Sequence, residues 1–67
     1  MTDSLTLLKY MNQANITIDE LANELNMDSR TLLNKMDKQD EFYSVEIQTI
    51  CEILDIPNEK RKDIFFD

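Results

Sequence analysis

The stretch TIDELANELNMDSRTLLNKM, residues 17–36, decides the fold that this sequence predicts. Thr17 is followed three residues later by Glu20, the spacing of a capping box in which the hydroxyl and the carboxylate each accept a backbone N–H. An apolar stripe at helical spacing comes next and consists of Ile18, Leu21, Ala22 and Leu25. The stretch therefore predicts a helix that begins after Thr17 and that a second helix can cross closely at the small side chain of Ala22.

A second helix of about residues 29–37 is predicted directly afterwards. Asn26 favours a left-handed backbone turn that ends the first helix, and Asp28 can cap a helix that begins at Ser29. The side chains expected to face inward are Leu32, Leu33 and Met36, and those expected on the outer side are Ser29, Arg30, Asn34 and Lys35. Residues 17–36 thus predict two short helices joined by a tight turn.

A helix of about residues 5–14 is predicted before this pair. Asp3 or Ser4 can cap it. Its inner face is expected to consist of Leu7, Met11 and Ala14, with Leu8 and Leu5 alongside. Asn15 is expected in a turn that glycine would otherwise occupy, because asparagine tolerates positive φ. Ile16 is expected to be buried just before the capping box.

Two more helices are predicted after the pair. Residues 37–44 are expected to form a loop from which Phe42 reaches the core, and Ser44 to cap a helix of about residues 45–54. The core stripe of that helix is Ile47, Ile50, Cys51 and Leu54. Pro57 cannot continue it, so Asn58 is expected to cap a last helix of about residues 59–65. One or two of the final apolar residues should cover the core, the candidates being Ile64, Phe65 and Phe66.

Short pieces along nearly the whole chain match one known family. They are ELA (20–22), LNM (25–27), SRTL (29–32), KM (35–36), EF (41–42), EI (46–47), ICEILDIP (50–57) and IFF (64–66). With these pieces the chain resembles a small phage repressor or Cro-type helix-turn-helix protein, of the broad class that includes bacterial xenobiotic-response-element regulators. The resemblance implies an all-α fold, a compact four- to five-helix lambda-repressor-like bundle. One domain would cover residues 1–67, with the helix-turn-helix at about residues 17–36.

The same resemblance implies sequence-specific binding to operator DNA, with the helix at about residues 29–37 in the major groove and a dimer on a palindrome. Arginine can bind guanine and asparagine can bind adenine through paired hydrogen bonds, while hydroxyl groups bind phosphate or base. The groove-facing positions would be Ser29, Arg30 and Asn34. The predicted DNA-binding set is Ser29, Arg30, Thr31, Asn34, Lys35 and Lys38. The alternative for these residues is a solvated polar face.

Two positions depart from the family pattern. DNA-binding members frequently have a glutamine where this chain has Ile18, and there it contacts a phosphate. They often have an arginine where this chain has Met11, and there it forms an ion pair with a glutamate. Ile18 cannot donate a hydrogen bond, and Met11 is expected to be flexible core filler. Both changes remove a polar contact that supports DNA binding in the family.

The net charge of −7 also opposes DNA binding, because binding depends largely on neutralising phosphates. Residues 27–42 carry four acidic and three basic side chains, and the segments on either side each have a net charge of −3. A second hypothesis is therefore a protein-binding module on the same scaffold, an antirepressor or modulator that docks on a basic partner. Its acidic faces would contain Asp19, Glu20 and Glu24, or Glu46 and Glu52.

Several other functions are disfavoured by composition. The chain has no histidine and no glycine, so it offers no imidazole base and no glycine-rich phosphate loop. Its single cysteine, Cys51, lies within a core stripe and is expected to be a buried structural thiol. We therefore predict that the protein is not an enzyme and uses no metal or cofactor. We predict a cytoplasmic protein, in the bacterial host cell if it is phage-encoded, since the chain lacks a basic leader and a long apolar run.

Two surface features remain open in the sequence. The basic run of residues 60–62 is expected to be a solvated face, with a phosphate clamp as the alternative. A C-terminal apolar residue that the core does not need could seed a homodimer through the end formed by Ile64, Phe65 and Phe66.

Overall fold

The computed structural model describes residues 2–37 and 40–66 of the chain. These residues form five α-helices and no strand, so the predicted all-α class is confirmed. The helices are α1 (Ser4–Ala14), α2 (Ile18–Glu24), α3 (Ser29–Met36), α4 (Ser44–Leu54) and α5 (Asn58–Phe65). Within the described ranges, no helix has the length and apolar character needed to cross a membrane. Lys38, one of the predicted DNA-binding residues, lies outside the described residues.

The first three helices begin at the caps that the sequence predicts. The Asp3 carboxylate accepts the backbone N–H of Thr6 at 3.2 Å at the start of α1. The capping box of α2 is complete, with the Glu20 N–H 3.1 Å from the Thr17 hydroxyl and the Thr17 N–H 2.9 Å from the Glu20 carboxylate. These bonds satisfy backbone donors that the helix itself leaves unpaired.

The predicted caps of α4 and α5 are wrong by one residue. Tyr43, not Ser44, occupies the N-cap of α4, and the Glu46 carboxylate reaches back to its N–H at 2.9 Å. Pro57, not Asn58, occupies the N-cap of α5. Proline suits that position because it has no N–H to leave unpaired, and its φ of −62° combines with an extended ψ of 149°.

Three helices end in the same way although the chain has no glycine. Asn15, Asn26 and Asp55 have φ values of 59°, 57° and 56°, in the left-handed region. In each case the next residue donates its N–H five residues back: Ile16 to Met11, Met27 to Ala22, and Ile56 to Cys51, at 2.9 to 3.0 Å. This is the hydrogen bond of a Schellman helix end. The two asparagine turns were predicted, and the turn at Asp55 was not.

Each helix contributes one fully buried side chain to the centre of the bundle: Leu7, Leu21, Leu32, Ile50 and Ile64. Around them lie the other predicted core residues Met11, Ala22, Met36, Phe42, Ile47, Cys51, Leu54 and Phe65. The Phe42 and Phe65 rings meet edge to face with their centroids 5.6 Å apart. The chain start is joined to α5, because the Asp3 N–H donates to the Ile64 carbonyl at 2.6 Å.

Four residues that the sequence placed on inner faces are exposed instead: Leu5, Leu8, Ala14 and Leu33. Within α1 only Leu7 and Met11 are buried, so its core contact is narrower than its apolar composition suggests. Within α3 the buried positions are Leu32, Lys35 and Met36, which turns Leu33 outward. Ile16, expected to be buried, is half-buried, as are Ile18 and Leu25.

Candidate nucleic-acid interface

Helices α2 and α3 are held together by a short connection and a small apolar contact. The connection, residues 25–28, folds back on α2, where the Met27 N–H donates to the Ala22 carbonyl at 3.0 Å. Asp28 then caps α3 by accepting the Thr31 N–H at 2.7 Å, as predicted. Because Ala22 and Leu32 are both buried, α3 has one face against the core and one face outward.

The outward face of α3 begins with Arg30 in the first turn of the helix. The Arg30 side chain is exposed, and Ser29, Thr31 and Asn34 are half-buried. Residues 30, 33, 34 and 37 follow the i, i+3, i+4, i+7 spacing of one helix face. The face therefore presents a guanidinium, the Leu33 isobutyl group, an amide and a carboxylate. Leu33 is not in the predicted DNA-binding set, because the sequence predicted that it faces the core.

Carboxylates lie close to the start of α3. The Ser29 hydroxyl donates a hydrogen bond to the Asp19 carboxylate of α2. The Asp28 cap is ionised readily, because the hydrogen bonds from the Thr31 N–H and hydroxyl lower the pKa of its carboxyl below the ordinary value of 3.8. The helix N-terminus is thus occupied by a carboxylate of its own chain. A phosphate at that position would meet two negative charges.

Lys35 does not lie on the outer face, and its predicted placement there is wrong. Its side chain is only 4% exposed, and its Nζ lies 2.8 Å from Oε1 of Glu46 on α4. The same Nζ lies 4.1 Å from the centroid of the Tyr43 ring. A buried ammonium needs a partner of opposite charge, and here the carboxylate and the ring face supply it. Lys35 is therefore part of the contact between α3 and α4, and its ammonium is not presented on the outward face.

The predicted acidic faces for a protein partner also differ in exposure, since one of their carboxylates is enclosed in the structure. Glu46 is 14% exposed, and its Oε1 holds both Lys35 and the Tyr43 N–H, so it is not an exposed docking charge. Glu52 is exposed on α4. On α2, Asp19, Glu20 and Glu24 are all exposed, although the Glu20 carboxylate is engaged in the capping box.

An apolar groove of about 350 Å³ lies beside the outward face of α3. Its apolar lining comes from three helices and comprises Leu8, Ile18, Leu33 and Met36, with Ser4, Asn34 and Asp37 at its polar positions. Ile18, half-buried at the start of α2, is one of the residues that line this groove. Met11 is buried in the core, as predicted.

The remaining candidates lie elsewhere in the bundle. Cys51 is a buried free thiol in the core stripe, as predicted. Ile64 and Phe65 are buried, and only Phe66, 59% exposed, is left over at the C-terminal end. In the basic run, residues 60 and 62 are exposed and Arg61 is half-buried. Lys60 and Lys9 line one shallow cavity between α5 and α1.

Comparison with known proteins adds no family assignment. Neither a protein-family model nor a curated protein nor a solved structure matches this chain.

Proposed function

We propose that this chain is a sequence-specific DNA-binding transcriptional regulator of the phage Cro or repressor type, with a helix-turn-helix formed by α2 and α3. The observation that supports this most is the outward face of α3. A short helix, packed against α2, presents the exposed Arg30 and the half-buried Asn34 on one side. That arrangement is suited to insertion into a major groove.

Each contact residue has a distinct role in this proposal. The Arg30 guanidinium donates two hydrogen bonds to a guanine, and the Asn34 amide pairs with an adenine. Ser29 and Thr31 lie on the first turn, where hydroxyl groups can contact a base. Because the Ser29 hydroxyl donates its hydrogen to Asp19, it would act as a hydrogen-bond acceptor towards a base. No residue has a catalytic role.

The charge distribution implies that base contacts dominate over phosphate contacts. Lys35 is bound to Glu46, so among the described residues of α3 only Arg30 offers an exposed positive charge. The salt dependence of binding grows with the number of phosphates neutralised. We therefore expect weaker salt dependence than for a strongly basic regulator, and an affinity that depends strongly on sequence.

Binding as a homodimer to a palindromic site is part of the proposal. The C-terminal end would use Phe66, since Ile64 and Phe65 are buried in their own subunit. An exposed aromatic ring of this size is a suitable centre for self-association. Sedimentation equilibrium of Phe66→Ser against the unmodified chain tests this, and equal monomer fractions in both would contradict it.

A second candidate function is binding to a basic protein, as an antirepressor or modulator of another DNA-binding protein. It is favoured by the exposed carboxylates of α2, Asp19, Glu20 and Glu24, together with the apolar groove that Ile18 helps to line. Acidic and apolar surface side by side would suit a basic amphipathic segment.

Two exposed substitutions separate the candidates. Arg30→Ala removes a DNA contact, and Glu24→Lys reverses a charge on α2 without touching the capping box. DNA regulation predicts that Arg30→Ala weakens selective binding to the DNA upstream of the gene and that Glu24→Lys retains it in full. The protein-binding function predicts no selective DNA binding by any form, and loss of partner binding in Glu24→Lys alone.

A further inference from the structure

Leu33 is an exposed leucine at the edge of the outward face of α3, where it also lines the apolar groove. It is 48% exposed, while its neighbour Leu32 is completely buried. It lies three residues after Arg30 and one residue before Asn34, so the three side chains share the outward face of α3. Among the described residues of α3, Leu33 is the only large exposed hydrophobic side chain.

The position of Leu33 constrains what it can contact. If Arg30 and Asn34 reach base edges in the major groove, Leu33, which lies on the other side of Arg30 from Asn34, also faces that groove. The only apolar group that a base pair displays there is the 5-methyl group of thymine. Burial of this methyl group against the isobutyl group removes apolar surface of both from water.

We propose that Leu33 determines sequence specificity by contacting the 5-methyl group of a thymine in the bound DNA. This inference rests on the proposed function and assigns to the same site a base that neither Arg30 nor Asn34 would read. The contact gives the exposed leucine a partner of matching chemistry. The apolar groove that Ile18 and Leu33 line would then lie next to the bound DNA.

The test uses a change of one methyl group in the DNA. The preferred duplex is first isolated by selection from a random-sequence library, and each thymine is then replaced singly by deoxyuridine. Deoxyuridine pairs as thymine does and lacks only the 5-methyl group. We expect a single replacement, at one particular thymine position of either half-site, to weaken binding by about fourfold. That factor corresponds to the contribution of one buried methyl group.

The protein variants identify the side chain responsible. In Leu33→Ala the ratio of affinities for the thymine and deoxyuridine duplexes should fall to about one, because the apolar contact is absent from both complexes. Leu5→Ala is the matched control, since Leu5 is 79% exposed on α1 and does not line the groove. It should keep the fourfold ratio. Circular dichroism should show unchanged helicity in both variants, since both side chains are exposed.

The outcomes separate this inference from the proposed function. Selective DNA binding with no sensitivity to deoxyuridine at any position, or with the same sensitivity in Leu33→Ala, would overturn the role of Leu33 and leave DNA regulation standing. Failure of the folded protein to select any duplex would overturn both.

Discussion

The Nζ of Lys35 lies 2.8 Å from Oε1 of Glu46, and this ion pair joins α3 to α4. The ammonium also lies over the face of Tyr43, whose own N–H donates to the same carboxylate oxygen. These three residues thus connect the inner side of α3 to the first turn of α4. The contact encloses Lys35, which the sequence predicted on the outer side.

Removal of one partner of this pair should destabilise the protein strongly. Lys35→Met leaves the half-buried Glu46 carboxylate without its cation, and Glu46→Gln leaves the buried ammonium without its anion. Each should lower the free energy of unfolding by about 3 kcal/mol, measured by urea denaturation. The double variant should lose less than the sum of the two, because neither charge is then left alone. Lys9→Met, at an exposed position of α1, is the control. Additive losses would show that the pair is not coupled.

The left-handed turn at Asp55 should distinguish glycine from alanine. With φ at 56°, any Cβ is crowded, so Asp55→Gly should be more stable than Asp55→Ala by roughly 1 kcal/mol in thermal or urea unfolding. Glu52 provides the matched control within the same helix, where φ is helical. There the order should reverse, with alanine more stable than glycine by about 1 kcal/mol. The same order at both positions would contradict the left-handed assignment.

The Asp28 cap should make the free energy of unfolding depend on pH. Hydrogen bonds from Thr31 hold the pKa of Asp28 below the ordinary 3.8, so the folded state favours the carboxylate. That stabilisation is fully present above pH 3.8 and is lost as the pH falls through the lower folded pKa. Asp28→Asn retains an oxygen acceptor but cannot ionise. The stability difference between the native chain and this variant should therefore shrink as the pH falls below 3.8. A constant difference would mean that charge at the cap is unimportant.

Arg30 and Asn34 should each contribute to DNA affinity and not to folding stability. Arg30→Ala and Asn34→Ala should each weaken binding to the preferred duplex by about 1–3 kcal/mol in a titration. Each should also relax the preference at one base position. Lys62→Ala removes an exposed positive charge from α5 and is the control for a general effect of charge. Equal losses in Lys62→Ala and Arg30→Ala, with no change of sequence preference, would argue against base recognition by α3.

The sequence predicted those parts of the fold that depend on local chemistry. The capping box of Thr17 and Glu20, the cap at Asp28 and the turns at Asn15 and Asn26 need only neighbouring residues. The core stripe of α4 was equally predictable, because all four of its apolar residues repeat at helical spacing.

The sequence did not predict contacts that depend on how helices pack. Lys35 is bound by a carboxylate 11 residues away, and only the packing of α3 on α4 shows that its side chain is enclosed. Leu32 and Leu33 are adjacent leucines, and which one faces the core depends on the rotation of α3. The same rotation leaves Leu33 exposed and encloses Lys35, which is the reverse of the predicted arrangement.

The most direct test of the central claim is a titration of the purified protein with labelled DNA from upstream of its gene, against random DNA, at low and at physiological salt. The account predicts preferential binding to the upstream DNA that weakens as salt increases and is weaker in Arg30→Ala. Absence of binding even at low salt, by protein shown to be folded and helical, would contradict it. The acidic face of α2 and the groove beside α3 would then be the surfaces to test against a protein partner.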